Sequence, residues 1–313
     1  MNKFQSNAPK IRRTKTEVKT DNVHGTLYVV STPIGNLEDI TLRALKVLNN
    51  VDIIAAEGVD HTRGLLRYYD IGTRSESYNQ HNHKLKAPEL VMHLKLGKNI
   101  ALVTDAGTPG ISDPGVYLIN LAVGEDIKVT PIPGPSAVTA ALSVSGMPSE
   151  QFVFLGFLPN RAGKRITALK SLASETRTMV FFEAPHRIRA MLNDLMKALG
   201  DRQMVMLREI SKVFEEIRRG PVSSVLESLA PEKIRGEFTL VVAGNDAEAV
   251  DFLGDGILDK IERLLADGNL GVKDIAGLIS REEGVSYRQI YKECIARRKG
   301  HLNKNLEREY DRQ

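Results

Sequence analysis

The residue types best suited to chemistry stand where apolar runs of the chain end. Glu57 follows the apolar run 51–55, where a carboxylate can serve as a general base or hydrogen-bond acceptor, or can cap the helix that follows. Arg63 lies slightly further on and suits either a phosphate ligand or plain exposure to solvent. This part of the chain therefore favours proton transfer and anion binding, with structural roles as the alternative.

A second feature is the loop Thr-Asp-Ala-Gly-Thr-Pro-Gly-Ile-Ser-Asp-Pro-Gly at 104–115. Gly107 and Gly110 let a ligand approach the backbone or permit positive φ, and the two prolines fix φ. The loop follows Ile100–Val103, which we predict to be a buried strand, and open α/β sheets bind ligands at the carboxyl ends of their strands. An ordinary Gly/Pro-rich turn is the alternative.

Charged residues also stand at one end of three later apolar runs. Each group by itself is more typical of a salt-bridged rim than of a catalytic site. The groups are Glu183, His186 and Arg187; Arg208, Glu209 and Lys212; and Arg235 and Glu237.

We expect no metal site. His81 and His83 have no carboxylate or cysteine at metal-ligand spacing, so a polar loop that closes over a ligand is the better interpretation. The single cysteine, Cys294, excludes an internal disulfide and any multi-cysteine site.

Composition indicates a soluble, cytoplasmic globular protein. The 313 residues are 42% hydrophobic and 26% charged, and no apolar run is long enough for a transmembrane helix. The net charge is only +4, but residues 1–24 carry six lysines and arginines against two acidic residues. We expect a disordered leader there, with an electrostatic arm for nucleic acid as its functional alternative.

Strands and helices alternate in the first half of the chain, which predicts βαβ units and a largely parallel sheet. Predicted strands span 27–30, 51–55, 100–103 and 127–130. Predicted helices between them span 41–48, 88–96 and 114–123, and another spans 136–145 after a proline-rich segment.

A second α/β unit follows a linker at 146–151. Its predicted strands span 152–156, 178–182, 203–207 and 238–242. We expect a mixed sheet with antiparallel members, in which 214–219 pairs with 238–242 around an inserted helix.

The rest of the chain is polar and helical. Residues 274–291 have the spacing of a helix-turn-helix, with a plain helical hairpin as the alternative. We therefore predict a fold of two α/β domains with a cleft between them, plus a small helical segment. The predicted divisions are a leader at 1–24, domains at 25–146 and 151–245, and the helical segment at 250–313.

The turn after the first strand, Pro33-Ile34-Gly35-Asn36-Leu37, is neither a GxGxxG fingerprint nor a Walker A loop. From 27 to about 244 the motifs, in their order, resemble the tetrapyrrole-methylase superfamily, which binds S-adenosylmethionine between two α/β domains. The segments that carry the resemblance are 33–37, 104–115, 131–137, 154–159, 183–187, 208–209 and 236–238.

Within that superfamily the chain is similar to the branch that methylates the ribose 2′-hydroxyl of a cytidine in the decoding region of bacterial small-subunit ribosomal RNA. Tetrapyrrole-modifying members carry a glycine-rich turn where this chain has 33–37, and the C-terminal segment also resembles the RNA branch. One segment departs from it. The second strand of the family usually ends in Ala-Glu-Asp-Thr-Arg, whereas Glu57 is followed here by Gly58, Val59 and Asp60.

The resemblance implies S-adenosylmethionine as the cofactor, held largely by backbone contacts from small residues. The matching positions are Pro33, Ala106, Gly107, Thr108, Pro109, Ile111, Ser136, Ala137 and Glu183. It also implies a general base, because a ribose hydroxyl is a poor nucleophile at neutral pH. The candidates are Glu57, as first choice, with Glu183, Glu209, Lys212 and Glu237.

The partner implied is small-subunit ribosomal RNA within the assembled 30S subunit, bound mainly through its phosphates. The basic positions expected to contact it are Arg63, Arg161, Lys164, Arg165, Arg187, Arg288, Arg297 and Arg298. The resemblance further implies a homodimer. Two alternatives stay open at this point: a methyltransferase acting on a tetrapyrrole, and a non-catalytic RNA-binding protein on a methylase scaffold.

Overall fold

The computed structural model describes residues 24–229, 234–245 and 255–285, together with 287, 290, 291, 293–295, 297 and 298. Residues 1–23 of the predicted leader lie outside the described residues, and so does Arg288. The described residues fall into two compact units, one ending at Gly244 and the other beginning at Asn245.

The first sheet of the larger unit is entirely parallel, as predicted, with strand order β3-β2-β4-β1-β5. Its strands are β1 (Leu27–Val30), β2 (Ile53–Ala56), β3 (Ser75–Ser77), β4 (Ile100–Val103) and β5 (Val129–Ile132). The helices that connect them are α1 (Leu42–Asn50), α2 (Val59–Tyr68), α3 (His83–Lys95) and α4 (Val116–Gly124). The sequence analysis gave no bounds for α2, missed β3, and placed the start of α3 too late.

Alternation along each strand explains why this sheet is covered on both faces. On β4, Ile100 and Leu102 pack into one apolar cluster, whereas Ala101 and Val103 pack into the cluster on the opposite face. All of β4 is buried because helices lie on both sides of a parallel sheet. The carboxyl ends of these strands therefore open at a common edge.

The second sheet is mixed, as predicted, with order β6-β7-β10-β8-β9. Its strands are β6 (Phe152–Phe157), β7 (Thr178–Glu183), β8 (Gln203–Arg208), β9 (Glu216–Pro221) and β10 (Phe238–Val242). The helices α6 (Ala162–Lys170), α7 (Ile188–Leu199) and α8 (Val222–Ser228) belong to the same region. The predicted pairing of 214–219 with 238–242 is wrong: β9 pairs with β8, and β10 lies between β7 and β8.

Helix α5 (Ala137–Ser145) joins the two sheets. It follows β5 of the first sheet, yet Val138, Ala141 and Leu142 pack against Val180 and Val241 of the second. Its N-terminus therefore stands between the carboxyl ends of the parallel strands and the second sheet.

The smaller unit is helical. It contains α9 (Asp255–Asp267) and α10 (Val272–Glu283), and α10 ends at Gly284 in the left-handed conformation. Ile261, Ile279, Ile290 and Cys294 form part of its core. The described residues after Val285 are helical, which is the arrangement that both a helix-turn-helix and a helical hairpin require.

Candidate active site

The larger unit encloses a cavity of about 330 Å³ whose walls come from both sheets. It is the place where most of the predicted cofactor positions meet. Those that line it are Ala106, Gly107, Thr108, Ile111, Ser136, Ala137 and Glu183. Pro33 and Pro109 are buried in the adjoining loops and do not line the cavity.

Backbone pairing fixes the loop 104–115 against the end of β1. Thr32 and Gly107 exchange both backbone hydrogen bonds, at 2.9 and 3.1 Å, and the hydroxyls of Ser31 and Thr108 lie 2.8 Å apart. Gly107 has φ +78°, a conformation that a side chain would strain. The loop is thus held rigidly, with its small residues facing the cavity.

The same loop approaches the second sheet at Gly156, where a register shift interrupts the pairing of β6 with β7. A Cβ at Gly156 would lie 2.8 Å from the hydroxyl oxygen of Ser112, and Gly156 has φ +59°. A glycine is therefore needed for the two walls of the cavity to come this close.

Glu183 is the buried carboxylate of the cavity, and the first residues after β7 hold it. Its Oε1 accepts the Ala184 N–H at 2.8 Å and lies 3.0 Å from Arg187 Nε. Its Oε2 has no hydrogen-bond partner among the described residues. Arg187 in turn donates to the Leu158 carbonyl, so its guanidinium is used inside the protein and leaves little to offer RNA.

Glu209, Lys212 and Glu237 form a single ionic group beside the cavity. Lys212 Nζ donates to Glu209 Oε1 at 2.8 Å and to Glu237 Oε2 at 2.9 Å. Burial by itself lowers the pKa of Lys212, but these bonds outweigh it, so the pKa is raised and the ammonium form is retained. Likewise, burial raises the pKa of Glu209, but Lys212 and the Glu237 N–H lower it overall. Both are therefore poor proton acceptors.

Close packing at Gly35 explains part of the motif at 33–37. A Cβ there would meet Lys212 Cγ at 2.5 Å and the Ile210 carbonyl oxygen at 2.8 Å. The next residue, Asn36, donates its N–H to Ser211 Oγ at 3.2 Å. This loop therefore ties the first sheet to the strand-end loop that carries Lys212.

Glu57 lies at the end of β2, where its Oε2 accepts the Asp105 N–H at 3.3 Å. Burial raises its pKa; the hydrogen bond from Asp105 opposes the shift, and the Asp105 charge adds to it. Gly58, one of the departures from the family motif, donates its N–H to Asp105 Oδ1 at 2.9 Å. A Cβ at Gly58 would lie 2.4 Å from that oxygen, so the absence of a side chain makes room for this carboxylate.

Asp113 is a site residue that the sequence analysis missed. It lines the cavity, and burial raises its pKa to about 7, with the charges of Glu57, Asp105 and Glu237 adding to the shift. It was passed over because it stands inside the loop and not at a strand end. The signal available in the sequence was its place within the Gly/Pro-rich loop 104–115, directly before Pro114.

The basic residues expected to contact RNA differ in what they can offer. Arg63, Arg161, Lys164 and Arg298 are exposed. Arg165 is instead buried and donates from Nε and Nη2 to Asp194 Oδ2, at 2.8 and 2.6 Å, so the structure gives it a packing role. Arg297 pairs with Glu262 and Glu293.

Two kinds of feature are absent from the part of the chain that the structure describes. There is no group of three or more side chains able to hold a metal ion. No described helix combines the length and apolar character needed to cross a membrane.

Three comparisons identify the kind of protein to which this architecture belongs. The sequence profile of the tetrapyrrole (corrin/porphyrin) methylases matches residues 26–226. Ribosomal RNA small subunit methyltransferase I of Escherichia coli O157:H7 is 41% identical over 286 residues, which cover 90% of this chain and 98% of that protein. The protein of the same name from Synechocystis sp. is 42% identical over 269 residues, covering 85% and 96%.

Among solved structures, uroporphyrin-III C-methyltransferase from Thermus thermophilus, complexed with S-adenosyl homocysteine, aligns with a TM-score of 0.51. It is 16% identical and covers 70% of this chain and 97% of its own, a likeness that establishes the fold.

The chain belongs to the tetrapyrrole methylase family, and it is a methyltransferase. Over most of its length it is similar to the ribosomal RNA small subunit methyltransferase I proteins, which favours neither a tetrapyrrole substrate nor a non-catalytic role.

Proposed function

We propose that this chain transfers the methyl group of S-adenosylmethionine to the ribose 2′-hydroxyl of a cytidine in the decoding region of small-subunit ribosomal RNA. The observation that carries the proposal is the cavity in which a rigid loop of small residues faces carboxylates from both sheets. The names of the relatives, which specify small-subunit ribosomal RNA, supply the substrate class.

The residues of the cavity suit S-adenosylmethionine. Small side chains at 106–108 and at the start of α5 leave the backbone accessible, and the volume is within the usual range for small-molecule sites. Glu183 Oε2 is a buried acceptor that receives no hydrogen bond from any residue the structure describes, as expected of a group that receives a ligand hydroxyl or amino group. Bound there, the cofactor supplies an electrophilic methyl group on a positively charged sulfur.

The chain must supply a proton acceptor and correct alignment. The 2′-oxygen forms its bond to the methyl carbon as the carbon–sulfur bond breaks, and the 2′-hydroxyl proton passes to a carboxylate. Asp113 is the best candidate for this acceptor, because it lines the cavity and its pKa of about 7 matches a general base at neutral pH. Glu57 is the second candidate, since its pKa is also raised.

The proposal extends to partners and location. Arg63, Arg161 and Lys164 are exposed cations on the larger unit, and Arg298 is one on the smaller unit, so all four are accessible to phosphates. We propose that the substrate is the assembled 30S subunit, that the protein works as a homodimer, and that it acts in the cytoplasm. The names of the relatives support the ribosomal RNA substrate, and the homodimer rests on the family resemblance alone.

The decisive experiment supplies radiolabelled S-adenosylmethionine and small ribosomal subunits that lack ribose methylation in the decoding region. We expect label at a cytidine 2′-oxygen, and none in subunits that already carry the modification. A tetrapyrrole precursor in a parallel reaction tests the other substrate class. Label in the tetrapyrrole, or cofactor binding without transfer to RNA, would contradict the proposal.

A further inference from the structure

A second hollow, of about 480 Å³, lies away from the cavity, beside the last turns of α2 and the loop that leads into β3. Arg63, Arg67 and Arg74 line it, with Asp70 as its one lining carboxylate. Guanidinium groups that converge on one hollow are suited to phosphate, because each presents several donors in a fixed plane.

The ion pairs of these arginines leave their charge accessible. Arg63 pairs with Asp60 at 3.3 Å, but the two side chains are 61% and 97% exposed, so the pair is weak and easily exchanged for a ligand. Arg74 lies 3.1 Å from Glu76 and is itself 78% exposed. Arg67 is exposed and forms no ion pair with any residue that the structure describes.

A buried hydroxyl gives an independent sign of a ligand. Thr73 lines the hollow and is only 8% exposed, yet its Oγ1 has no hydrogen-bond partner in the described part of the chain. Buried hydroxyls are normally satisfied, so an unpaired one in a basic hollow points to a missing acceptor oxygen.

The backbone carbonyls at the end of α2 do not compete with a ligand for the donors of the hollow. The last carbonyls of α2 are already bonded to the turn that follows: those of Leu65, Leu66 and Arg67 accept from Tyr69, Ile71 and Asp70 respectively. The hollow therefore presents three arginines, the hydroxyl residues Thr73 and Ser75, and the single carboxylate of Asp70.

We propose that this hollow binds phosphates of the ribosomal RNA substrate at a point separate from the methyl-transfer cavity. Helix α2 begins just after Glu57 and is about 15 Å long at ~1.5 Å per residue, so its far end can meet a different part of a large RNA than the target nucleotide. The inference rests on the proposed function, and it assigns Arg67, Thr73 and Arg74 to substrate docking.

The test compares Arg67→Gln/Arg74→Gln with a control of equal charge change, Lys170→Gln/Arg177→Gln, in which both exposed residues lie away from the hollow. For the first variant we expect KM for small subunits to rise about tenfold at physiological salt. The slope of log K against log salt should fall by about 1.5, as roughly two phosphate contacts are lost. The kcat at saturating subunits and the affinity for S-adenosylmethionine should stay unchanged, and Arg67→Lys/Arg74→Lys should restore most binding.

An unchanged KM and salt slope would overturn the proposal. An equal loss of subunit binding in the control variant would also overturn it, because net charge alone would then explain the effect. So would weaker binding of inorganic phosphate by the first variant without any change in subunit binding, which would indicate a small-anion site. Binding to subunits needs no turnover. A wild-type chain that binds subunits through the hollow but does not methylate them would refute the proposed reaction alone.

Thr73→Val provides a second readout. Removing an unpaired buried hydroxyl while keeping the shape of the side chain should leave thermal stability equal or higher. At the same time, KM for subunits should rise about threefold. Lower stability with unchanged KM would mean that the hydroxyl serves the fold and not a ligand.

Discussion

Asp113 occupies the most unfavourable electrostatic position in the cavity. Its carboxyl group is partly buried, and the three groups that act on it, Glu57, Asp105 and Glu237, all carry negative charge. A carboxylate that destabilises the fold in this way is typical of a catalytic base.

Asp113→Asn should abolish the rise of methyl transfer through about pH 7 and lower the rate at pH 8 by about 10²-fold or more, because the base is active only when ionised. Initial rates from pH 5.5 to 9 at saturating substrates would measure this. S-adenosylmethionine affinity, followed by calorimetry, serves as the control for an intact cavity. A variant that keeps the wild-type profile would exclude Asp113 as the base.

The same substitution should affect stability in the opposite sense. The pKa of Asp113 is about 7 in the folded chain, above its ordinary value of 3.8, so the unfolded chain loses this proton first as pH rises. Stability of the wild type therefore falls as pH rises from about 4 to about 7. Asp113→Asn should be the more stable protein at pH 8 and lose that advantage near pH 4, as measured by Tm.

Glu57→Gln separates two roles for its carboxylate. If Glu57 acts only through its charge, its removal lowers the pKa of Asp113, so the acid side of the pH–rate profile moves to lower pH with little loss of maximal rate. If Glu57 is itself the base, turnover falls at every pH. The profile of the variant, compared with that of Asp113→Asn, decides between them.

At the scale of elements, a larger side chain at the N-terminus of α5 tests whether the cavity holds the cofactor. Ala137 lines the cavity, whereas Thr139 on the same helix is exposed. Ala137→Phe should weaken S-adenosylmethionine binding by more than tenfold, while Thr139→Leu should leave it unchanged. Calorimetric titration measures both, with Tm to check folding. Normal binding by Ala137→Phe would place the cofactor elsewhere.

Helices α6 and α7 are joined by the buried pair of Arg165 and Asp194, whose side chains are 5% and 10% exposed. Arg165→Met should lower the free energy of unfolding by about 3 kcal/mol, because it leaves a buried carboxylate unpaired. Arg165→Met/Asp194→Leu should recover much of that loss, as denaturant titration would measure. The salt slope of RNA binding should not change in either. A slope reduced by about one unit would mean that Arg165 reaches a phosphate.

For the whole molecule, the sequence was most informative where periodicity was strong. The buried apolar runs at 27–30, 100–103 and 238–242 predict strands that the structure has at those positions. The alternation of strands with helices predicts a parallel first sheet, since each crossover helix returns the chain to the same edge. The presence of both sheets, one parallel and one mixed, could thus be predicted from local sequence patterns.

What escaped prediction depends on contacts between distant residues. β9 carries charged side chains at the sheet edge, and only the pairing of Gln203–Arg208 with Glu216–Pro221 fixes its neighbour. Strand β3 has just three residues, too few for a period. The raised pKa of Asp113 follows from burial and from carboxylates that lie just after β2, in the loop after β4 and just before β10. No sequence spacing reveals that convergence.

The contact between Gly58 and Asp105 has an evolutionary consequence. Because a Cβ at Gly58 would lie 2.4 Å from the Asp105 carboxylate, the side chain allowed at one position depends on the conformation adopted at the other. The two sites are therefore epistatic, and the order of substitutions matters. A side chain at 58 would require the carboxylate at 105 to rotate away, and this would break its hydrogen bond with the N–H of residue 58. The effect of a side chain at 58 should accordingly depend on which residue stands at 105.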